Sequence, residues 1–560
     1  MPLPLIVHED ADLLVVAKPA GWNTHAPAPH AGEGLYEWLK HREPRWADLA
    51  ILHRLDKETS GLLVFGKTPL ANRSLTEQFT ARAVGKRYRL WTDRAVPFDE
   101  RLIRSKIHRV GDRYASSKLT GEDAETLFRV VLRQGGRTVV DAFPHTGRTH
   151  QIRVHAAEAG FPILGDTLYG GSAFDRVCLH AAALSFHHPA TSETVAFERA
   201  EDFTAPARLA LREAGIDPEE TDAFRLVHGA ADGWPGWFVE KLGPWLLSQG
   251  EADPTPAQRS ELESIAARFG SRGVYHKRWN AKIRETDTAA ASPQLLFGSA
   301  APERFEIREN GAKYQLGFGE GYSVGLFLDQ RDNRRRWMTR CIAAGFGGAL
   351  FSASSVGRSL LDVSETTHNP QPTTNAETPE EPEQPERPEV LNTFAYTCGF
   401  SVAAALGGAR VTSLDLSKKY LDWGRDNFTA NGLDPAAHDF IFGDCFDWIR
   451  RLAKKGRRYH AVILDPPTFS QSKQSGVFRV QKDFGKLVTD ALGVLESGGV
   501  LFASSNAANW PAEEFLASVR QAVAGSRRRI LAEHYVPQPP DFPITREQPA
   551  YLKTCWLRIS

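Results

Sequence analysis

The sequence predicts a multidomain chain: an α+β unit with a mixed or antiparallel sheet, a small β-rich α+β unit, and a doubly wound α/β unit. Three observations carry this. The chain has 560 residues, more than one hydrophobic core holds, since domains run to about 100–200 residues. Short apolar runs separated by turns fill residues 1–200, which reads as sheet. Toward the other end, strand-like runs alternate with helical stretches, the pattern of a parallel sheet covered on both faces.

In the first unit, residues 1–200, the strand-like runs are DLLVVAKPAG, GLLVFGK, KRYRLWT and TLFRVVLRQGGRTVVDAFP. One stretch interrupts them. HRLDKETSG, His53 to Gly61, sets four charged residues and a histidine between two apolar runs. Ser60-Gly61 reads as a turn before the run Gly61–Phe65. A charged cluster there is either a solvated loop or a site. Residues 201–220 read as a polar helical connector, and 221–318 as a small β-rich unit punctuated by Gly and Pro. In 319–560, VLNTFAYTCGF, ARVTSLDLS, HDFIFGD, YHAVILDPP and GGVLFASS are the strand-like runs. Their alternation with helices is Rossmann-like. Residues 348–389 break it. Rich in Ser, Thr, Pro and Glu, they are expected to be a disordered insertion in a surface connection.

Composition narrows the class. Forty-two per cent apolar and 24% charged is ordinary for a soluble protein. The N-terminus lacks a basic lead and carries Glu9, Asp10 and Asp12, so no secretory leader is expected. No run reads as a membrane span. Five cysteines, Cys178, Cys341, Cys398, Cys445 and Cys555, show no metal-ligand spacing. No metal is expected, and the compartment is expected to be the reducing cytoplasm. Net charge is zero, with 68 basic against 68 acidic residues. The zero sums opposite patches. Residues 101–118 hold six Lys or Arg against one Asp, and 377–389 hold six Glu against one Arg. Uneven basic patches leave a nucleic-acid partner open.

The string HRLDKETSG resembles the H-R-L-D-x-x-T-S-G signature of RluA-type pseudouridine synthases. HEDADLLVVAKPAG, KRYRL, HTGRTHQIRVHAAEAGFPILGDTLYGG and LHAAALSFHHP follow the family order across residues 5–200. The resemblance implies isomerisation of uridine in RNA without a cofactor. It makes Asp56 the catalytic carboxylate at the ribose, Arg148 its guanidinium partner, and Tyr88 the aromatic ring at the base. His53 and Arg54 would position the loop or the RNA. A guanidinium favours the charged form of a neighbouring carboxylate, and the target nucleotide would be extruded from its stack.

Residues 221–560 resemble class I S-adenosylmethionine (SAM) methyltransferases of the RlmI and RlmK type, which modify large-subunit ribosomal RNA. The resemblance rests on GYSVGLFLDQRDNRRRW, LNTFAYTCGFSVAAALGGA, SLDLSKKYLDWGRDNFTANGL, GDCFDWI and LDPPTFSQSK. It implies SAM as cofactor, held by Gly399 in a turn, Asp415 at a strand end, Asp444 and Phe446 near the adenine, and Gln330 and Arg331 closing over it. Asp465, Pro466 and Pro467 would hold the base at the methyl-transfer site, with Phe469 stacking on it.

Methylating cytosine C5 requires a Cys nucleophile. Neither DPPTFS nor LFASSNAAN contains one, so a guanine nitrogen, N7 before N2, is the expected target. Cytosine C5, and tRNA as the uridine substrate, are the alternatives within enzymes. A non-catalytic RNA-binding or assembly factor is the alternative outside them. The retained Asp56, Asp415 and Asp465 speak against it, since nothing in stability requires such groups.

Overall fold

Strand β4 (Ser60–Gly66) shows how the first sheet is built. Its residues are all buried, so it needs apolar surface on both faces. It pairs antiparallel with β2 (Leu13–Lys18) and parallel with β10 (Leu179–His187). Leu14, Val16, Leu63 and Phe65 point into one core, and Leu13, Val15, Leu62 and Val64 into another. Alternation along a pleated strand divides the two sets. Gly61 sits at φ +124°, and a Cβ there would lie 2.4 Å from the Ala181 backbone. Only glycine lets β10 come this close, and Ser60-Gly61 opens the strand rather than forming a turn.

The structure is a computed structural model that describes residues 3–279, 291–321, 323–347, 350, 387–472 and 476–560. Most of the insertion expected at 348–389 lies outside the described residues. The chain divides into two units. One comprises Met1–Gly311, Gly317–Val324 and Gln538–Ala550; the other comprises Ala312–Leu316, Gly325–Pro537 and Tyr551–Ser560.

The first unit holds an 11-stranded mixed sheet. Its remaining strands are β1 (Ile6–Glu9), β3 (Ala50–Ile51), β5 (Gly85–Thr92), β6 (Glu100–Val110), β7 (Arg113–Ser117), β8 (Glu122–Gln134), β9 (Arg137–Pro144) and β11 (Thr194–Glu198). The order is β1-β2-β4-β10-β5-β9-β8-β6-β7, with β3 on β4 and β11 on β10. Helices α1 (Leu35–Arg42), α2 (Pro69–Thr80) and α3 (Gln151–Glu158) accompany it, and α4 (Ala207–Ala214) follows. Thr68 caps α2 by accepting from Ala71 N, with Pro69 at its first position.

A five-stranded sheet, β12 (Ala223–His228), β13 (Trp237–Leu242), β14 (Trp245–Gly250), β15 (Gly273–Arg278) and β16 (Gln294–Gly298), belongs to the same unit. Helix α5 (Pro256–Phe269) joins the parallel pair β14 and β15. A capping box between Thr255 and Gln258 starts α5, and left-handed Gly270 ends it. Residues 538–550 pack here too. Asp541 accepts from Arg225 N at 3.0 Å, and the Arg225 guanidinium lies 4.5 Å over Phe542. A cavity of about 440 Å³ lies between 538–545, α4 and the segment around Trp22.

In the second unit, β19 (Glu389–Thr393), β20 (Arg410–Asp415), β21 (Asp439–Phe442), β22 (Tyr459–Leu464) and β25 (Leu495–Ser505) are parallel. Strands β26 (Ile530–Val536) and β27 (Lys553–Ile559) close the sheet, with β27 antiparallel to both its neighbours. The order is β21-β20-β19-β22-β25-β27-β26. Direction of winding reverses between β19 and β22, so the turns after these strands open at the switch point where such sheets bind ligands. Helices α6 (Arg331–Thr339), α7 (Gly399–Leu406), α8 (Lys418–Ala430), α9 (Cys445–Lys454), α10 (Val480–Leu492) and α11 (Ala512–Gly525) accompany it. Short strands β23 (Phe469–Ser472) and β24 (Gly476–Arg479) pair after the Asp465 turn. No helix among the described residues is long and apolar enough to cross a membrane.

Two candidate active sites

Asp56 stands in the loop between β3 and β4, and the backbone on both sides of it is fixed. Leu55 exchanges two hydrogen bonds with the Thr24 hydroxyl, at 3.1 and 2.7 Å. The Lys57 carbonyl accepts from Gly21 N at 2.8 Å and from Lys18 Nζ at 3.1 Å. Lys18 is 1% exposed and also donates to the carbonyls of Pro19 and Trp22. Burial pushes its amine down to about 7, against the pull of Glu58 and Asp56. Three carbonyl acceptors match the three hydrogens of an ammonium.

The guanidinium facing Asp56 belongs to Arg153, on α3. Its Nε and Nη2 donate to Asp166 at 2.7 and 2.8 Å, and both side chains are buried. Nη1 lies 3.7 Å from Asp56 and 3.6 Å from Glu58. Arg148, expected in this place, lines the same recess but pairs with Glu122 at 2.6 Å and donates to the Asp123 carbonyl. Tyr88, on β5, also lines the recess, and burial, with the Asp56 charge, raises its phenol. His150, at φ +56°, bonds Tyr169 Oη through Nδ1 at 2.8 Å and places Nε2 3.9 Å from Asp56.

His53 stacks on Phe79 at 4.7 Å and accepts from Val64 N through Nε2. Burial, with nearby Lys86, pushes it down to about 3, so it stays neutral. Arg54 is exposed and donates to Thr149 Oγ1 at 2.9 Å.

In the second unit, the turn after β19 carries left-handed residues at alternate positions, Phe394, Tyr396 and Cys398, and Gly399 starts α7. The turn's own N–H groups pin it in place: Ala395 N donates to the Leu414 carbonyl at 3.0 Å and Cys398 N to the Ala395 carbonyl at 2.8 Å. Asp415 ends β20. Its two oxygens accept from Tyr396 N and Ser417 N, each at 2.8 Å. Burial raises its carboxyl. Asp444 is buried and caps α9 by accepting from Asp447 N. Asp465 follows β22. Gln330 Nε2 reaches its Oδ1 at 3.4 Å and Ser504 Oγ at 2.8 Å.

Residues 12–158 match the RNA pseudouridylate synthase family model, and residues 381–558 match the S-adenosylmethionine-dependent methyltransferase model. A ribosomal RNA large subunit methyltransferase from Deinococcus radiodurans is 31% identical over 365 residues, covering 63% of this chain and 77% of that protein. The chain belongs to this family. Ribosomal RNA large subunit methyltransferase I from Erwinia tasmaniensis is 27% identical and covers 61% of this chain and 76% of its own length. Ribosomal large subunit pseudouridine synthase C from Yersinia pestis is 39% identical over 211 residues, 34% of this chain and 64% of that protein. This member of the methyltransferase family therefore joins two enzymes, an RNA pseudouridine synthase and a SAM-dependent methyltransferase.

The methyltransferase residues fit their cofactor. Asp415 spends one lone pair per oxygen on backbone and keeps others for hydroxyl groups. The turn before Gly399 opens at the switch point beside it. Phe446, two residues after Asp444, is 8% exposed and packs with Ile449 and Leu452 on one face of α9. Arg331 is buried, with Nε 3.7 Å from Asp332, and Gln330 faces Asp465 and Ser504. Pro466 is buried, and Phe469 is 39% exposed on β23. Desolvation pushes the Asp465 carboxyl up to about 6, raised further by Asp329 and lowered by Ser504, Arg334 and Gln330. Sequence reasoning missed Lys18, His150, Arg153 and Asp166. All four lie within strings quoted for the resemblance, but their spacing does not single them out.

Proposed function

We propose that the chain isomerises a uridine and methylates a guanine of large-subunit ribosomal RNA, at N7 in preference to N2, in the cytoplasm. Relatives of both halves are named for the large ribosomal subunit, which supports one RNA as substrate for both reactions. Asp56 acts at the ribose, with Arg153 Nη1 3.7 Å from its carboxylate and Tyr88 at the base. At the other site Asp415 binds the ribose of SAM, Gly399 lets the backbone approach the methionine part, and Asp444 lies toward the adenine. Bound SAM supplies an electrophilic methyl group. Asp465, Pro466 and Pro467 hold the base edge, and Phe469 stacks on its face.

The state of the cysteines carries the choice of target. Attack on C6 of cytosine needs a thiolate, which low thiol pKa and access provide. Burial instead pushes Cys398 up to about 12 and raises Cys445 and Cys555. Cys398 packs where a Cβ on Gly424 would come within 2.3 Å of its Sγ. Guanine N7 offers its own lone pair and needs no such nucleophile. The test is nucleoside mass spectrometry of large-subunit RNA incubated with the protein and SAM. Pseudouridine together with 7-methylguanosine is expected; 5-methylcytidine refutes the cysteine argument.

A further inference from the structure

Five side chains in the second unit form a hydrogen-bonded relay that ends at the Asp-Pro-Pro turn. Trp556 Nε1 donates to Asn333 Oδ1 at 3.0 Å. Asn333 Nδ2 donates to Gln330 Oε1 at 2.8 Å and to Thr554 Oγ1 at 3.2 Å. Gln330 Nε2 then donates to Ser504 Oγ at 2.8 Å and to Asp465 Oδ1 at 3.4 Å. Trp556, Asn333, Gln330 and Ser504 are all buried, so water does not compete for these bonds.

We infer that Trp556, Thr554 and Asn333 are positioning residues for methyl transfer, because together they decide which end of the Gln330 amide faces Asp465. An amide side chain satisfies most networks in either orientation. An indole nitrogen only donates, so Asn333 turns its oxygen to Trp556 and its NH₂ to Gln330. Gln330 must then receive on oxygen and present its NH₂ to Ser504 and Asp465. The Ser504 hydroxyl, having accepted from Gln330, keeps its hydrogen, and with Gln330 it lowers the Asp465 carboxyl against the effect of burial. The direction of the whole chain is fixed at its far end by two groups: the Trp556 indole, which only donates, and the Thr554 hydroxyl, whose hydrogen goes to the Val536 carbonyl at 2.6 Å and which therefore accepts from Asn333.

The fold builds the relay from regular elements. Trp556 and Thr554 are two residues apart on β27 and share a face, and Thr554 lies opposite Ser504 on β25. Gln330 and Asn333 are three apart at the start of α6 and also share a face. Donors to a carboxylate favour its ionised form. Removing the indole N–H and the Thr554 hydroxyl together frees both amides to rotate, so that the Gln330 oxygen can turn to Asp465. Asp329, from the turn before α6, already opposes ionisation of Asp465, and Arg334, on α6, supports it. Without the N–H donor, Asp465 protonates at higher pH.

This inference rests on Asp465 holding the substrate base, and the experiment separates the two. Single-turnover transfer of tritiated methyl from SAM to in-vitro-transcribed large-subunit RNA is measured from pH 4.5 to 9. It uses the full chain, the Trp556→Phe/Thr554→Val double variant and the Asp465→Asn variant. The double variant keeps the ring and the branched side chain and loses both groups that orient Asn333. Its acid limb is expected to move up by about one pH unit; an unmoved limb overturns the relay. If the double variant does not fold, Gln330→Leu takes its place with the same two outcomes. An acid limb that survives in Asp465→Asn overturns the reading of Asp465 itself.

Discussion

Arg153 presents Nη1 to the Asp56 carboxylate at 3.7 Å while Asp166 holds its other two nitrogens. Among the described residues Nη1 itself has no hydrogen-bond partner. Asp166 thus keeps a charged edge aimed at the Asp56 carboxylate, and the ring of Tyr169 is centred 5.1 Å from the guanidinium. Lysine cannot bridge two carboxylates in this planar way. Arg153→Lys is expected to lower kcat for pseudouridine formation by about 100-fold or more. Arg148→Ala is expected to raise KM less than tenfold, about one phosphate contact. Steady-state kinetics on the two variants checks this; equal losses in kcat count against the assignment.

Asp56→Ala is expected to abolish pseudouridine formation, by roughly a thousandfold or more, and to leave RNA affinity and methyl transfer intact. Filter binding and the two product assays on one preparation measure all three. Conversion retained by the purified variant refutes the role of Asp56.

Methyl transfer is expected to fall as pH drops through about 6, the value to which desolvation raises Asp465. The sign follows from charge: above this value the carboxylate is ionised and accepts hydrogen bonds from a base edge, and below it the proton occupies that place. A flat profile between pH 5 and 8 contradicts this.

Asp415→Ala is expected to weaken SAM binding by about 10–150-fold, the worth of charged hydrogen bonds at roughly 1.5–3 kcal/mol. Part of that loss comes from freeing Tyr396 N and Ser417 N, which Asp415 now satisfies. Isothermal calorimetry reads the change directly.

Gly424→Ala is expected to destabilise the protein by about 1–3 kcal/mol through overpacking, because its Cβ would meet Cys398 Sγ at 2.3 Å. Adding Cys398→Ala removes the sulfur but leaves the Cβ at 2.9 Å, and is expected to recover part of the loss. Methyl transfer by the Cys398→Ala variant should persist, as a packing role requires. Thermal melts and the methyl assay test both halves.

The sheets were legible because their central strands are continuous apolar runs, as in β4 and β22, and because strand and helix alternate after Pro388. Asp56, Asp415 and Asp465 were legible as carboxylates at the ends of such runs. The Arg153 and Arg148 roles were not. Both stand in TGRTHQIRVH, and α3 buries Gln151 through Ala156 without a break, so no polar face marks which arginine turns inward. Lys18 ends the run LLVVAK, and nothing in that run shows that the carbonyls of Pro19, Trp22 and Lys57 draw its amine inside. Phe446, Ile449 and Leu452 recur every three residues, and that spacing does signal a core face.

Residues 538–550 complete the first unit, although the chain between Val324 and Gln538 belongs to the second. At roughly 5–20 residues per second, tens of seconds of synthesis separate the first sheets from this segment. Through that interval the nascent chain carries Arg225 without Asp541 and Phe542, and the cavity without its proline-rich wall. Strand β27, which the second sheet needs, leaves the ribosome immediately afterwards. The hydrophobic clusters of the 11-stranded sheet draw on residues 3–214 alone, whereas the sheet that carries Arg225 and the methyltransferase sheet both wait for the same short stretch of chain.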